Sequence, residues 1–314
     1  MVAGFLTELG KKFAERWITL LVLPGLLYTG LLLVAHTAGW AHALDIRWLV
    51  RAAERWTDGP RPRTEGFLVI AAVAAVLAGA AAGLAAQTLG GLLVRAWLAE
   101  DWQAWPRPLR DAAHRRTQSR RTAWRTASAR YEAARLAWGR AVALAEAGHA
   151  PAGPGPADAV TAAHRAMRDI ALEEPARPTW QGDRIAAVGT TLYRRYELDL
   201  ATIWPALWLT LPENGLREIT GSRDAFQRAG VLAGWGVLCL VPGALWWPGL
   251  PIAAVLWVTG VRRAREAVDT YAAFVTAAVE LHAADLARTL GLDVPGELDK
   301  PTGRDLTTHL RSHD

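Results

Sequence analysis

His282 and Asp285, in "ELHAADLAR", are the residues of this chain whose types and spacing best suit chemistry. Three positions apart on a helix they share a face, where an imidazole beside a carboxylate can act as an acid–base pair or supply two ligands to a metal. The apolar pattern around them argues for a different role. Val261, Ala264, Val268, Tyr271, Val275, Ala278 and His282 recur at intervals of three and four. His282 therefore falls in a packing seam, and the expectation is a structural histidine held by its neighbour. Ser119, Ser128, Ser222 and Ser312 are the only serines, and none sits in a GxSxG elbow. The sequence also lacks HExxH, GxxxxGK[ST] and a strand-following GxGxxG. The single cysteine, Cys239, lies in an apolar block, so no intramolecular disulfide and no cysteine-rich zinc site can form. The expectation is no catalytic residue, no metal and no cofactor, in a protein that is not an enzyme.

The elements around these residues are set by three uncharged blocks. A helix needs about 20 apolar residues to cross a hydrocarbon core about 30 Å thick. After an amphipathic segment at 1–16, which carries Lys11, Lys12 and Arg16, residues 17–44 read as a first transmembrane helix. A cleaved signal peptide is the rival reading, with "AHA" at 41–43 as the cleavage site. The apolar run is longer than signal regions of about 7 to 15 residues, and Glu8 and Glu15 precede it. Residues 45–65 form an extracytoplasmic loop, and 66–94, rich in Ala and Gly, a second transmembrane helix. Within it Ala71, Ala75, Gly79 and Gly83 recur every fourth residue, with Gln87 and Gly91 continuing the row, and "GAAAG" is a literal GxxxG. Missing side chains let helix backbones approach closely, either to the first span or to a second copy in a homo-oligomer.

The third block runs from Ala229 to Val261. As one helix it would reach about 50 Å, too long for one span. Pro242, Pro248 and Pro251 remove backbone donors in its middle, so 226–262 reads as a transmembrane hairpin with Trp246 and Trp247 at the far interface. This places 12 basic residues beside the spans on one side and five on the other. Both termini are then cytoplasmic in a cell-membrane protein. The span cores hold no Asp, Glu, Lys or Arg, against an ion-coupled transporter. His36, Gln87 and Thr88, with Thr37, are the notable polar groups at depth; they could line a narrow pore between copies or satisfy one another.

Residues 95–225 read as a cytosolic helical region. Trp124, Ala127, Tyr131, Ala134, Trp138, Ala141 and Ala145 form a heptad-like seam, answered after "GHAPAGPGP" by Val160, Ala163, Met167 and Ile170. An antiparallel helical hairpin over 114–173 follows, packed with a helix at 263–290. The tail, 291–314, reads as flexible. Of the 35 basic residues only Lys11, Lys12 and Lys300 are lysine, a skew that points to codon usage before phosphate binding. The arginines Arg107, Arg110, Arg115, Arg116, Arg120 and Arg121 form either a solvated face or a contact with anionic lipid heads, near Trp97, Trp102 and Trp105. Nucleic acid is disfavoured, because no binding fold accompanies the charge.

"GDRIAAVGTTLYRRYELDLATIWPALWLTLP", the double tryptophan of the hairpin and "AAVELHAADLARTLGL" together resemble uncharacterised multi-pass membrane proteins of actinobacteria. The resemblance covers about residues 182–292 and implies four spans with a cytosolic helical region, and no activity. The fold expected is thus all-α: two transmembrane hairpins and a cytosolic helical bundle. The function expected is a membrane anchor or scaffold that self-associates and engages a cytosolic protein partner. The alternative is an oligomeric channel or membrane-permeabilising effector lined by the second span.

Overall fold

A computed structural model of the chain describes residues 22–43, 45, 47, 48, 50, 51, 54, 65–148, 154–294 and 296–312. The amphipathic segment at 1–16, the start of the first span and most of the loop at 45–65 lie outside the described residues. Every regular element described is helical: α1 (Leu23–Ala38), α2 (Glu65–Leu98), α3 (Arg107–Glu146), α4 (Pro154–Ile170), α5 (Trp180–Tyr196), α6 (Leu200–Thr210), α7 (Glu213–Leu238), α8 (Leu240–Leu245), α9 (Gly249–Thr289) and α10 (Lys300–Arg311). The chain divides into two units. Unit 1 takes the chain up to Val94 together with Gln227–Ala264, and unit 2 takes Arg95–Phe226 and Arg265–Asp314.

Unit 1 is packed through glycine. A Cβ on Gly25 of α1 would overlap the backbone of Gly79 in α2, and one on Gly79 would lie 3.0 Å from the Leu26 amide nitrogen. At the next crossing, a Cβ on Gly90 would stand 2.7 Å from the Val231 backbone, and one on Gly234 2.6 Å from the Ala86 carbonyl. Gly230 faces Val94 and Gly90, so pairing runs in reverse order along α2 and α7 and the two helices are antiparallel. Gly230 and Gly234 make a second GxxxG, "GVLAG". In the third crossing Gly236 meets Ala253 and Trp257 of α9, while Gly260 meets Ala229 and Ala233 of α7. That pairing also reverses, as a hairpin requires. The turn of the hairpin is α8 followed by Trp246–Pro248, where a Cβ on Gly249 would press on Gly243.

A strict four-residue step advances about 40° round a helix each time. The row from Ala71 to Gly91 therefore leaves the contact face at both ends. Ala71, Ala75 and Gln87 are exposed, and a Cβ on Gly91 meets open space. The buried stripe instead breaks the run of fours with one step of three, through Gly79, Gly83, Ala86, Gly90 and Val94.

Two tryptophans tie the end of α1 to the hairpin turn. Trp40 Nε1 donates to the Ala244 carbonyl at 2.9 Å, and Trp246 Nε1 donates to the Ala43 carbonyl at 2.9 Å. Halfway along, Tyr28 packs on Trp235 and its hydroxyl donates to the Leu238 carbonyl at 3.2 Å, next to the break between α7 and α8. Among the described residues two helices are long and apolar enough to cross a membrane, Val69–Leu98 and Glu213–Leu245. The described part of α1 is shorter, as is the uncharged stretch of α9 before Arg262.

Unit 2 is built on a core of Val188, Leu192, Tyr196, Ile203, Leu207, Val275, Val279, Leu286 and Leu306. The α3 and α4 seams face each other as alternating large and small side chains, with the Tyr131 and His164 rings 5.0 Å apart. The segment expected to be a flexible tail contains α10, a correction with a visible cause. Asp299 caps the helix by accepting from the Thr302 amide at 2.9 Å, a proline follows in the first turn, and Leu306 is fully buried. Gly303, a helix-weakening residue, is there because a Cβ would overlap the Tyr196 carbonyl. Ion pairs of Arg304 with Glu197 at 2.6 Å and Arg311 with Asp199 at 2.5 Å flank the contact.

The adjacent glycines Gly90 and Gly91 are an internal control for the packing account. Gly91→Ala should leave or slightly raise thermal stability in mild detergent, since Gly costs about 1 kcal/mol against Ala in a helix. Gly90→Ala should lower it, overpacking costing about 1 to 3 kcal/mol. Equal effects on the two melting curves would contradict backbone contact at Gly90.

Candidate functional site

The arginines of α3 converge on one loop of unit 2. Residues 171–179, "ALEEPARPT", carry Pro175 and Pro178, which remove donors and keep the segment out of helix. Its carbonyls need partners, because a buried carbonyl left unpaired is costly. The face of α3 supplies them. Arg116 Nε donates to the Pro178 carbonyl at 3.0 Å, Arg121 Nε to Pro175 at 2.7 Å, and Trp124 Nε1 to Ala171 at 3.0 Å. Arg125 makes a two-pronged contact with Glu174, at 3.0 and 2.6 Å.

Arg120 is the centre. Its guanidinium donates to the Ile170 and Arg177 carbonyls, both at 2.7 Å, and to Asp183 of α5. The other Asp183 oxygen accepts the Ala176 and Arg177 amides at 2.9 and 2.8 Å. The two side chains are only 15% and 9% exposed, yet the charges are closely surrounded by hydrogen-bonding partners. Burial pulls the Arg120 guanidinium below its usual range, with Asp183 opposing that shift. Thr179 completes the joint: it caps α5 by accepting the Gly182 amide at 3.2 Å and donates to the Trp97 carbonyl. Arg177 Nη1 reaches the Leu98 carbonyl at 2.9 Å, and a Cβ on Gly182 would lie 2.5 Å from that same oxygen.

Of the six arginines considered for lipid contact, Arg116, Arg120 and Arg121 are thus engaged with the loop, while Arg107, Arg110 and Arg115 are exposed. Arg115 Nε donates to the Asp111 carbonyl of its own helix at 3.3 Å. Trp97 is buried against Phe226, and Trp102 lies beside His114. In unit 1, Gly79 and Gly83 are buried while Ala71 and Ala75 are exposed. His36, Gln87 and Thr88 are exposed too, and the Thr88 hydroxyl donates back to Leu84 at 2.9 Å.

Asp285 is not paired with His282. It is exposed and bound to Arg288 at 2.5 Å, and Arg288 also donates to the Gly296 carbonyl at 3.0 Å, while His282 is half-buried on α9. Among the described residues no three His, Cys, Asp or Glu gather where a metal could sit. A cavity of about 640 Å³ opens between α5, α6 and α9, walled by Val188, Tyr193, Leu200, Trp204 and Tyr271. From α6 its apolar lining takes Leu200, Ala201, Trp204 and Pro205, while Ile203 and Leu207 of that helix are buried in the core. Asp199, at its edge, is pushed up by burial but held below the usual carboxylate range by Arg311, Thr202 and the Ala201 amide.

No protein-family model, curated protein or solved structure matches the chain. What the sequence did not single out is the partner of the arginine row. Ile170, the proline-rich loop and Asp183 lie 50 to 63 positions from Arg120, beyond any periodic signal.

Arg120→Met or Asp183→Asn should each destabilise unit 2 by about 3 to 5 kcal/mol, because each leaves one buried charge alone. The double variant should cost less than the sum of the two. Arg120→Lys should rescue little, since one ammonium cannot span carbonyls at 170 and 177 with a carboxylate between. Chemical denaturation followed by circular dichroism reads all four; additive losses would contradict a coupled pair.

Proposed function

We propose that this protein is a non-enzymatic integral membrane protein in which unit 1 is the anchor and unit 2 a cytosolic helical platform for a protein partner. The observation that carries the reading is the inverted packing of unit 1. Its interior contacts are made by glycine and alanine backbone, while large apolar side chains point away, Leu27 and Ile70 each 70% exposed and Leu77 and Val255 each 64%. In water such a surface invites association; in lipid it is the ordinary solvent-facing surface of a helix bundle.

Four spans in two hairpins complete the proposal, with α1 and the first part of α9 joining the two longer candidates. The reciprocal Trp40 and Trp246 bonds support it, because they put the end of α1 and the hairpin turn at one end of unit 1. Both termini then share the opposite, cytoplasmic side, where Arg262, Arg263 and Arg265 follow the last span. Ala71 and Ala75, exposed on α2, offer a small-residue surface to a second copy, and Arg107, Arg110 and Arg115 can reach anionic lipid heads. A pore, if one forms, belongs between copies, since backbone contacts at Gly25, Gly90 and Gly234 close the helix crossings within one copy.

Light scattering of the purified chain in mild detergent tests self-association, with Ala71→Leu/Ala75→Leu expected to reduce the molar mass without loss of helicity. An unchanged mass in that variant sinks the α2 interface. Reproducible unitary conductance in planar bilayers overturns the scaffold reading in favour of a channel.

A further inference from the structure

A second cavity in unit 2, of about 360 Å³, has a chemistry the anchor reading does not use. It lies among three helices. One face of α4 contributes Thr161, His164, Arg165 and Arg168, α5 contributes Trp180 and Arg184, and α9 contributes Asp269. Arg184 is fixed by Asp269 at 2.6 Å. Arg165 and Arg168 make no ion pair and no side-chain hydrogen bond among the described residues, although Arg116, Arg120, Arg121 and Arg125 of the neighbouring helix are all engaged. Behind the wall, the Arg265 guanidinium sits 5.6 Å from the centre of the Trp180 ring.

Charge and donor geometry define the ligand. With Arg184 and Asp269 paired, Asp169 offsets one of the two unpaired guanidinium groups, and Arg265 restores a surplus of two positive charges. Guanidinium forks match the oxygen spacing of a phosphate and bind it in pairs. His164 adds a polar edge. Its Nδ1 is buried without a partner, and a buried lone pair is tolerated better than a buried N–H, which assigns the ring's proton to Nε2 as a donor. Trp180 gives the cavity one flat apolar side, suited to the carbon skeleton that carries the phosphate.

We infer that this cavity binds a phosphate monoester dianion, through Arg165 and Arg168 with Arg184 and His164 as supporting donors. The ester can come from a soluble metabolite or from a lipid headgroup, and glycerol 3-phosphate stands for the chemistry they share. The site does not depend on the anchor reading, because every residue in it belongs to unit 2.

The test is a titration of the full chain in mild detergent with glycerol 3-phosphate, followed by calorimetry and by the phosphorus NMR signal. A second arm measures retention of phosphatidic acid from mixed nanodiscs by native mass spectrometry. Saturable binding in the first arm identifies a soluble source; binding only in the second identifies a lipid. In whichever arm binds, Arg165→Gln/Arg168→Gln should weaken it at least about tenfold, as loss of charged hydrogen bonds requires. Arg168→Lys, which keeps the charge and loses the fork, should fall between. Arg135→Gln/Arg140→Gln, on the exposed face of α3, should leave binding unchanged. Equal weakening by the two double variants, or no saturable binding in either arm, overturns the site.

Discussion

The absence of a side chain at a few helix positions is the constraint on which unit 1 depends. Lipid offers no hydrophobic drive for helices to associate, so their contact must come from close van der Waals approach. Gly25 against Gly79, Gly90 against Val231 and Gly234 against Ala86 bring backbone to backbone at distances a single methyl group would forbid. Large residues are then free to face outward, as the proposed place in a membrane requires. Trp40 and Trp246 add direction, each closing a carbonyl at the other's chain end.

Unit 2 follows the opposite logic. Its loop at 171–179 exposes carbonyls that secondary structure leaves unpaired, and arginine, with five donors in a rigid fork, satisfies several at once. Asp183 balances the most buried of these cations and also ties down two loop amides. The arginine content that looked like a surface property is therefore partly an internal scaffold. Arg165 and Arg168, without such partners, line a cavity instead.

Patterns confined to one element were legible in the sequence. The Trp124–Ala145 seam, its answer on α4, the His282 seam on α9 and the proline-marked hairpin turn all rest on local spacing, which survives folding unchanged. The GxxxG of α2 was legible as a contact with the first span or with a second copy; that Gly79 meets Gly25 of α1 was not, because nothing periodic links the two positions. Extending that row by fours carried it off the face at Gln87, where a step of three to Ala86 was needed. The α10 helix was not read from the sequence: Asp299 two residues before Pro301 is a start signal, but Gly303 weakens a helix, and its reason lies in the Tyr196 carbonyl over a hundred positions away. The candidate site resisted reading for the same cause. Arg120 and Asp183 are ordinary residues until the fold brings them together, and the arginine cavity needs three helices from distant parts of the chain.

Alkaline carbonate extraction of membranes from cells producing the full chain tests the central claim, that glycine-packed unit 1 is held within the bilayer. The account predicts that the protein stays with the membrane pellet at high pH and moves to the supernatant only when detergent is added. Quantitative release by carbonate alone, as for a peripheral protein, would contradict it.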